Sequence, residues 1–229
     1  EALNNSYHYG KHSFAGSISG KIGSYHHNLL AHCAGRNWSL AGGLLPDGNY
    51  AGYCDIRNNV VYNWRHRTTD GGVMRCNFVN NLYLPGPATT HFLLMRPDGD
   101  QMKTGNPQKF HLSGNRVEGY PQYDQDNWTG AKPNYATEAQ IRSDEPFFPS
   151  YVTTHSVEEL YDNVLADVGA NRPKQDAIDR RIIEDVKKRT FTCRGSKDNL
   201  PGIIDTQEDV GGYPMLEGGP APTDSDMDG

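Results

Sequence analysis

The chain has 229 residues, enough for one or two domains whose core folds without disulfide or metal staples. A hydrophobic fraction of 35% with 13 Tyr and 3 Trp excludes a disordered chain, and no apolar run reaches the roughly 18 residues of a membrane helix. A net charge of −6 and a pI of 5.8 exclude an ordinary nucleic-acid binder, whose pI would exceed about 9.

Seven acids and no Lys or Arg fall in residues 205–229, so the remainder is close to neutral. Residues 1–75 are locally basic and hold six of the nine His. That third of the chain suits an anionic partner, a small or polymeric carboxylate. No basic stretch followed by an apolar one opens the chain, so no signal peptide is expected in it.

In chain order, the first recurring feature is an Asn followed by two or three mostly apolar residues. It appears at Asn4, Asn28, Asn59, Asn81 and Asn115, with spacings of 24, 31, 22 and 34 residues. A short alternating stretch such as Tyr53-Cys54-Asp55-Ile56-Arg57 precedes the marker. Pieces this short cannot bury a face alone and must stack, about 4.8 Å per coil. The shortest spacing is one coil of a parallel β-helix, and the longer ones are the same coil with a loop inserted. Asn suits the bends because it tolerates left-handed backbone, and stacked Asn side chains can form a ladder. A β-sandwich with Asn in its hairpin turns is the competing arrangement.

After residue 135 the pattern turns helical. Ser156 and Glu159 form a capping box, and Val157, Leu160, Val164, Leu165 and Val168 follow at helical spacing up to Gly169. A second helix is expected from about Lys174 to Lys188, with Ile178, Ile182, Ile183 and Val186 on one face. The organisation is thus coils over 1–135, an extension over 136–216 whose two helices pack on the solenoid, and a linker with acidic tail over 217–229. In that tail, residues 224–229 open like a calcium loop but stop before a bidentate acid, so a solvated tail is expected.

Cys33, Cys54, Cys76 and Cys193 lack the pairing of a zinc site. Cys54 and Cys76 each lie five residues before a marker Asn, so they should be neighbours on adjacent coils, as stacked core thiols or as a disulfide. His26-His27 and His32 have no acid or Cys beside them, and hydrogen bonding is expected of them rather than ligation.

Several stretches together resemble the pectate lyases of polysaccharide lyase family 1, particularly the bacterial branch. They are Tyr25-His26-His27-Asn28-Leu29-Leu30-Ala31-His32, Gly35-Arg36-Asn37, Asp55 through Trp64, Val79 through Pro87, and Gly114 through Gly119, followed by parts of 168–186. The resemblance implies an all-β chain, a right-handed parallel β-helix with a C-terminal helical appendage. It also implies calcium-assisted β-elimination of polygalacturonate. In that reaction a base removes the C5 proton of a uronate, and cations neutralise the C6 carboxylate as charge develops.

The family's catalytic Arg opens an R-x-P-x-x-R pattern. Arg36 matches it, whereas Trp38 replaces the Pro and Ala41 the second Arg, which leaves room for another pectic backbone. Lys11, after His8 and before Gly16, matches the Lys that pairs with the carboxylate. Arginine is nearly always protonated, so an arginine base implies a rate that rises with pH. The family's calcium acids lie upstream of this Lys, so Ca2+ is implied as cofactor while its ligands are not assigned.

Arg67 lies eight residues after Asn59, as Arg36 lies eight after Asn28, and Lys11 lies seven after Asn4. These three cations should project from one side of consecutive coils, with Asp70 orienting Arg67. The loops Ala41–Gly52 and Arg65–Gly72 should wall the groove. His12, Trp38 and Arg65 flank these positions and are assigned with Arg67 as substrate contacts. The expected partner is an acidic polysaccharide, met by a secreted or periplasmic monomer that binds neither nucleic acid nor membrane. A non-catalytic β-helix that binds acidic glycans is the alternative.

Overall fold

The computed structural model describes residues 13–172, 174–215 and 219. Its twelve strands make four coils of three. They are β1 (Ser17–Ile18), β2 (Ile22–His26) and β3 (Leu29–Ala31); β4 (Ser39–Ala41), β5 (Tyr53–Arg57) and β6 (Val60–Tyr62); β7 (Thr69–Gly72), β8 (Arg75–Val79) and β9 (Leu82–Leu84); and β10 (Met95–Pro97), β11 (Lys109–Ser113) and β12 (Arg116–Val117). Like strands stack into three parallel sheets, β1-β4-β7-β10, β2-β5-β8-β11 and β3-β6-β9-β12. This is a right-handed parallel β-helix with a helical C-terminal part.

The marker asparagines are its spine. The backbone N–H and side-chain amide of Asn28 both donate to Oδ1 of Asn59, at 3.1 and 2.9 Å. Asn59 repeats this with Asn81, and Asn81 with Asn115. Asn127, which the sequence spacing does not reveal, adds a last rung below Asn115. Asn4 lies outside the described residues. The left-handed backbone expected of the markers belongs instead to the residue before each: His27, Asn58, Asn80 and Gly114 have φ of 54°, 52°, 50° and 66°. At Gly114 a Cβ would collide with Oδ1 of Asn80, so only glycine fits there.

Cys54 and Cys76 are register partners on β5 and β8 and are free thiols in the core, beside Ile56, Phe78 and Phe110. The stack ends on a partial fifth coil. Ala131 and Asn134 bridge to Met95 and Asp98, and Arg142 bridges to Phe110. Two short helices, α1 (Gln122–Gln125) and α2 (Glu138–Ile141), close that end.

Two of the three outer faces are covered. Helices α3 (Val157–Asp167) and α4 (Ala177–Lys188) lie on the third sheet, where Leu160, Val164, Ile183 and Val186 meet Val60, Tyr62, Leu82 and Leu84. The Ser156 capping box forms as expected. Helix α4 starts three residues later than the sequence suggests, because Asp176 caps it by accepting from the N–H groups of Ile178 and Asp179. Residues 146–155 cross the second sheet. There Asn77 donates to the Phe148 carbonyl and accepts from Phe147 N–H, and the buried Arg57–Asp55 pair reaches Thr154 and Ser150. Among the described residues no helix packs on the first sheet, β1-β4-β7-β10. No described helix is long and apolar enough to cross a membrane.

Candidate functional site

The bends that lead into the first sheet place the arginines. Arg36 precedes β4 and Arg67 precedes β7, one coil apart. Asn37, fully buried, fixes this approach. Its N–H donates to the Thr68 carbonyl and its amide to the Arg67 carbonyl, while its own carbonyl accepts from Tyr83 Oη and Thr69 Oγ1. Gly35 permits the contact, since a Cβ there would lie 2.8 Å from Cβ of Arg67.

Both guanidinium groups lie on the ring of Phe14, with Cζ of Arg36 4.6 Å and Cζ of Arg67 5.4 Å from its centroid. An aromatic face attracts a cation by about 0.5–1 kcal/mol at an exposed site, so one ring gathers both charges. They differ in their partners. Nε of Arg67 donates to Asp70 Oδ2 at 2.6 Å, and Ser39 Oγ donates to the other oxygen of that carboxylate at 2.9 Å. Arg36 donates from Nη1 to Ser17 Oγ at 3.1 Å, its buried Nε has no partner, and it faces no carboxylate at ion-pair distance among the described residues. Among the described residues the half-buried Arg36 is thus a cation without a counter-ion, beside one whose charge is balanced.

The pairing of Arg67 with Asp70 is as the sequence suggests. Lys11 and His12 lie outside the described residues. Arg65 sits on the same bend as Arg67, its carbonyl accepting from Thr90. Trp38, assigned as a substrate contact, is half-buried. Strand alternation turns Ser39 outward and Trp38 inward, where the indole packs on Tyr25, 5.9 Å between centroids, and on Gly16. Of the expected wall Arg65–Gly72, the last four residues are strand β7 rather than loop. The loop after Ala41 leaves the far end of β4 and joins the loop after β10, Tyr50 Oη donating to Asp100 Oδ1 at 3.0 Å.

Sequence reasoning missed Phe14 and the outward row in which Ser17, Ser39 and Arg96 join Asp70 as register partners across the first sheet. The equal three-residue offset from Arg36 to Ser39 and from Arg67 to Asp70 was the available signal. His26 and His27 make the ring-nitrogen contacts expected of them. His26 Nδ1 and His27 Nδ1 are 2.8 Å apart, and His27 Nε2 meets His155 Nδ1 at 2.9 Å. Among the described residues no three His, Cys, Asp or Glu are grouped to hold a metal. Residues 224–229 lie outside the described residues.

No protein-family model matches the chain. It is similar to a protein described as "Probable pectate lyase C" from Aspergillus terreus (strain NIH 2624 / FGSC A1156), 30% identical over 199 residues. That match covers 78% of this chain and 40% of the relative's length. The relative is fungal, so the bacterial branch gains no support. The chain is pectate lyase-like in sequence and a parallel β-helix in fold.

Proposed function

We propose that the open face of the first sheet is the active site of a polysaccharide lyase, cleaving pectate or a related uronate polymer by β-elimination outside the cell. The observation that carries this reading is the pair Arg36 and Arg67. They stack on successive coils against one ring, with the unpaired member at the position where the family resemblance expects the base.

In the proposed step Arg36, in its neutral form, takes the C5 proton of a bound uronate. The C–H electron pair becomes the C4=C5 double bond, the C4–O4 bonding pair leaves with O4, and water protonates that oxygen. Negative charge grows on the C6 carboxylate as the proton leaves, so fixed cations stabilise the transition state more than the ground state. Arg67, held in one orientation by Asp70, supplies such a cation, and Lys11 is proposed as another. Calcium, if bound, would add further positive charge at the carboxylate.

Incubation with polygalacturonate at alkaline pH should yield unsaturated uronides absorbing in the ultraviolet. Tight binding without any such product would instead identify a glycan-binding β-helix.

A further inference from the structure

The bend that carries Arg67 presents a second side chain to the ring of Phe14. Phe14 bridges to Gly35, and the His66 N–H donates to the Ala34 carbonyl at 3.1 Å, so Phe14, Gly35 and His66 form one column on successive coils. Two coil steps are about 9.6 Å. The Phe14 and His66 rings nevertheless approach to 6.5 Å between centroids, edge on at 64°. Gly35 leaves them room, because it has no side chain to stand between them. One ring is thus shared by the guanidinium groups of Arg36 and Arg67 and by the imidazole of His66.

His66 differs from both arginines in being uncommitted. It is exposed, and among the described residues neither of its ring nitrogens has a hydrogen-bond partner. Burial first, then Arg67, Arg65 and His91, hold its pKa below the ordinary 6.5, while Asp70 acts in the opposite direction. Arg36 adds its charge from across the Phe14 ring. Without a ligand the imidazole is therefore neutral near pH 7. An ionised uronate carboxylate brought to this pair of arginines would offset the positive charge around His66 and favour its protonated form.

Resting on the lyase reading of this face, we propose that His66 is a further substrate-binding residue, which takes up a proton as a uronate chain binds and holds a carboxylate as an imidazolium. The proton comes from solvent and returns to it when the chain leaves. At higher pH His66 stays neutral with or without the chain. Polymer is then held less tightly in the range where an arginine base is active, and anionic product leaves more readily.

Calorimetry of the whole chain with polygalacturonate at pH 6, in two buffers of different ionisation enthalpy, counts the protons taken up on binding. A contacting carboxylate that raises the imidazole by about one pKa unit gives about half a proton per bound site and about fivefold tighter binding at pH 5.5 than at 7.5. His66→Gln, with folding checked by its melting curve, should take up no proton and bind within about twofold at the two pH values. His66→Arg, a fixed cation, should also take up none, and should bind at pH 7.5 about as tightly as the unaltered chain does at 5.5. No uptake by the unaltered chain would overturn the proposal. So would undiminished uptake in folded His66→Gln, which would place the titrating group elsewhere. The lyase reading fails separately: proton-linked binding with no unsaturated product would refute elimination and leave His66 as proposed. Unsaturated product without proton uptake would refute only the role of His66.

Discussion

Asn59 and Asn81 form one rung of a continuous ladder, Oδ1 of Asn81 accepting both the backbone N–H and the side-chain amide of Asn59 at 3.1 and 2.9 Å. Asn81 in turn donates its own amide to Oδ1 of Asn115 and to the Ile56 carbonyl. Its side chain is buried and makes four hydrogen bonds without water. Replacing it by Ala orphans partners on both neighbouring coils. Each unsatisfied buried group costs about 1–3 kcal/mol, so Asn81→Ala should lower stability by about 3 kcal/mol or more in denaturant unfolding. Asn28→Ala, at the partly exposed first rung, should cost less. Equal losses would mean that the ladder does not carry this energy.

Cys54 and Cys76 sit one above the other without a disulfide. Burial pushes the Cys54 thiol up to about 11 and that of Cys76 well above its ordinary value. Thiolate is the reactive form. Iodoacetamide at pH 8 should therefore leave both unmodified in the native chain and label them once denaturant unfolds it. Rapid native labelling of either would contradict the packed core.

His27 links the first coil to the covering segment through His155. Burial first, then the neighbouring His26 and His155, hold its pKa below the ordinary 6.5. The unfolded chain therefore takes up a proton at His27 at a higher pH than the folded chain does. This contribution to stability is complete above about pH 6.5 and is lost as pH falls through the window below. The melting temperature should drop on going from pH 7.5 to 5.5, and less so in His27→Asn. Asn suits the left-handed backbone there, as Asn58 and Asn80 do on later coils. Identical slopes for the two proteins would remove His27 as the cause.

What the sequence revealed follows from where each signal is local. The ladder repeats one residue type at one bend, and the Ser156 cap lies within four residues, so both are legible. Asn127 is not, because its rung comes from a 3-10 turn rather than a strand pair. Asp70, Gly71 and Gly72 read as loop because Asp and Gly are poor strand formers, yet pairing with β4 and β10 on either side makes them a strand. Phe14 and Arg96 enter the site only through register across loops of unequal length. The packing of Trp38 on Tyr25 is likewise not legible, because it depends on which face of the folded chain the indole takes.

Arg67 and Arg36 should separate kinetically. Arg67 is proposed to hold a carboxylate in ground and transition states alike, so Arg67→Ala should chiefly raise KM for uronate polymer, about tenfold, with a smaller fall in kcat. A fall in kcat at constant KM would instead assign it to the proton transfer.

The most direct test of the lyase reading is Arg36→Lys, measured in parallel for turnover and for polymer binding. A lysine keeps the positive charge but not the reach and shape of the guanidinium over Phe14. Formation of unsaturated product should fall by about a thousandfold or more, while the dissociation constant for uronate polymer changes by less than about threefold. Turnover within about tenfold of the unaltered chain would contradict Arg36 as the base.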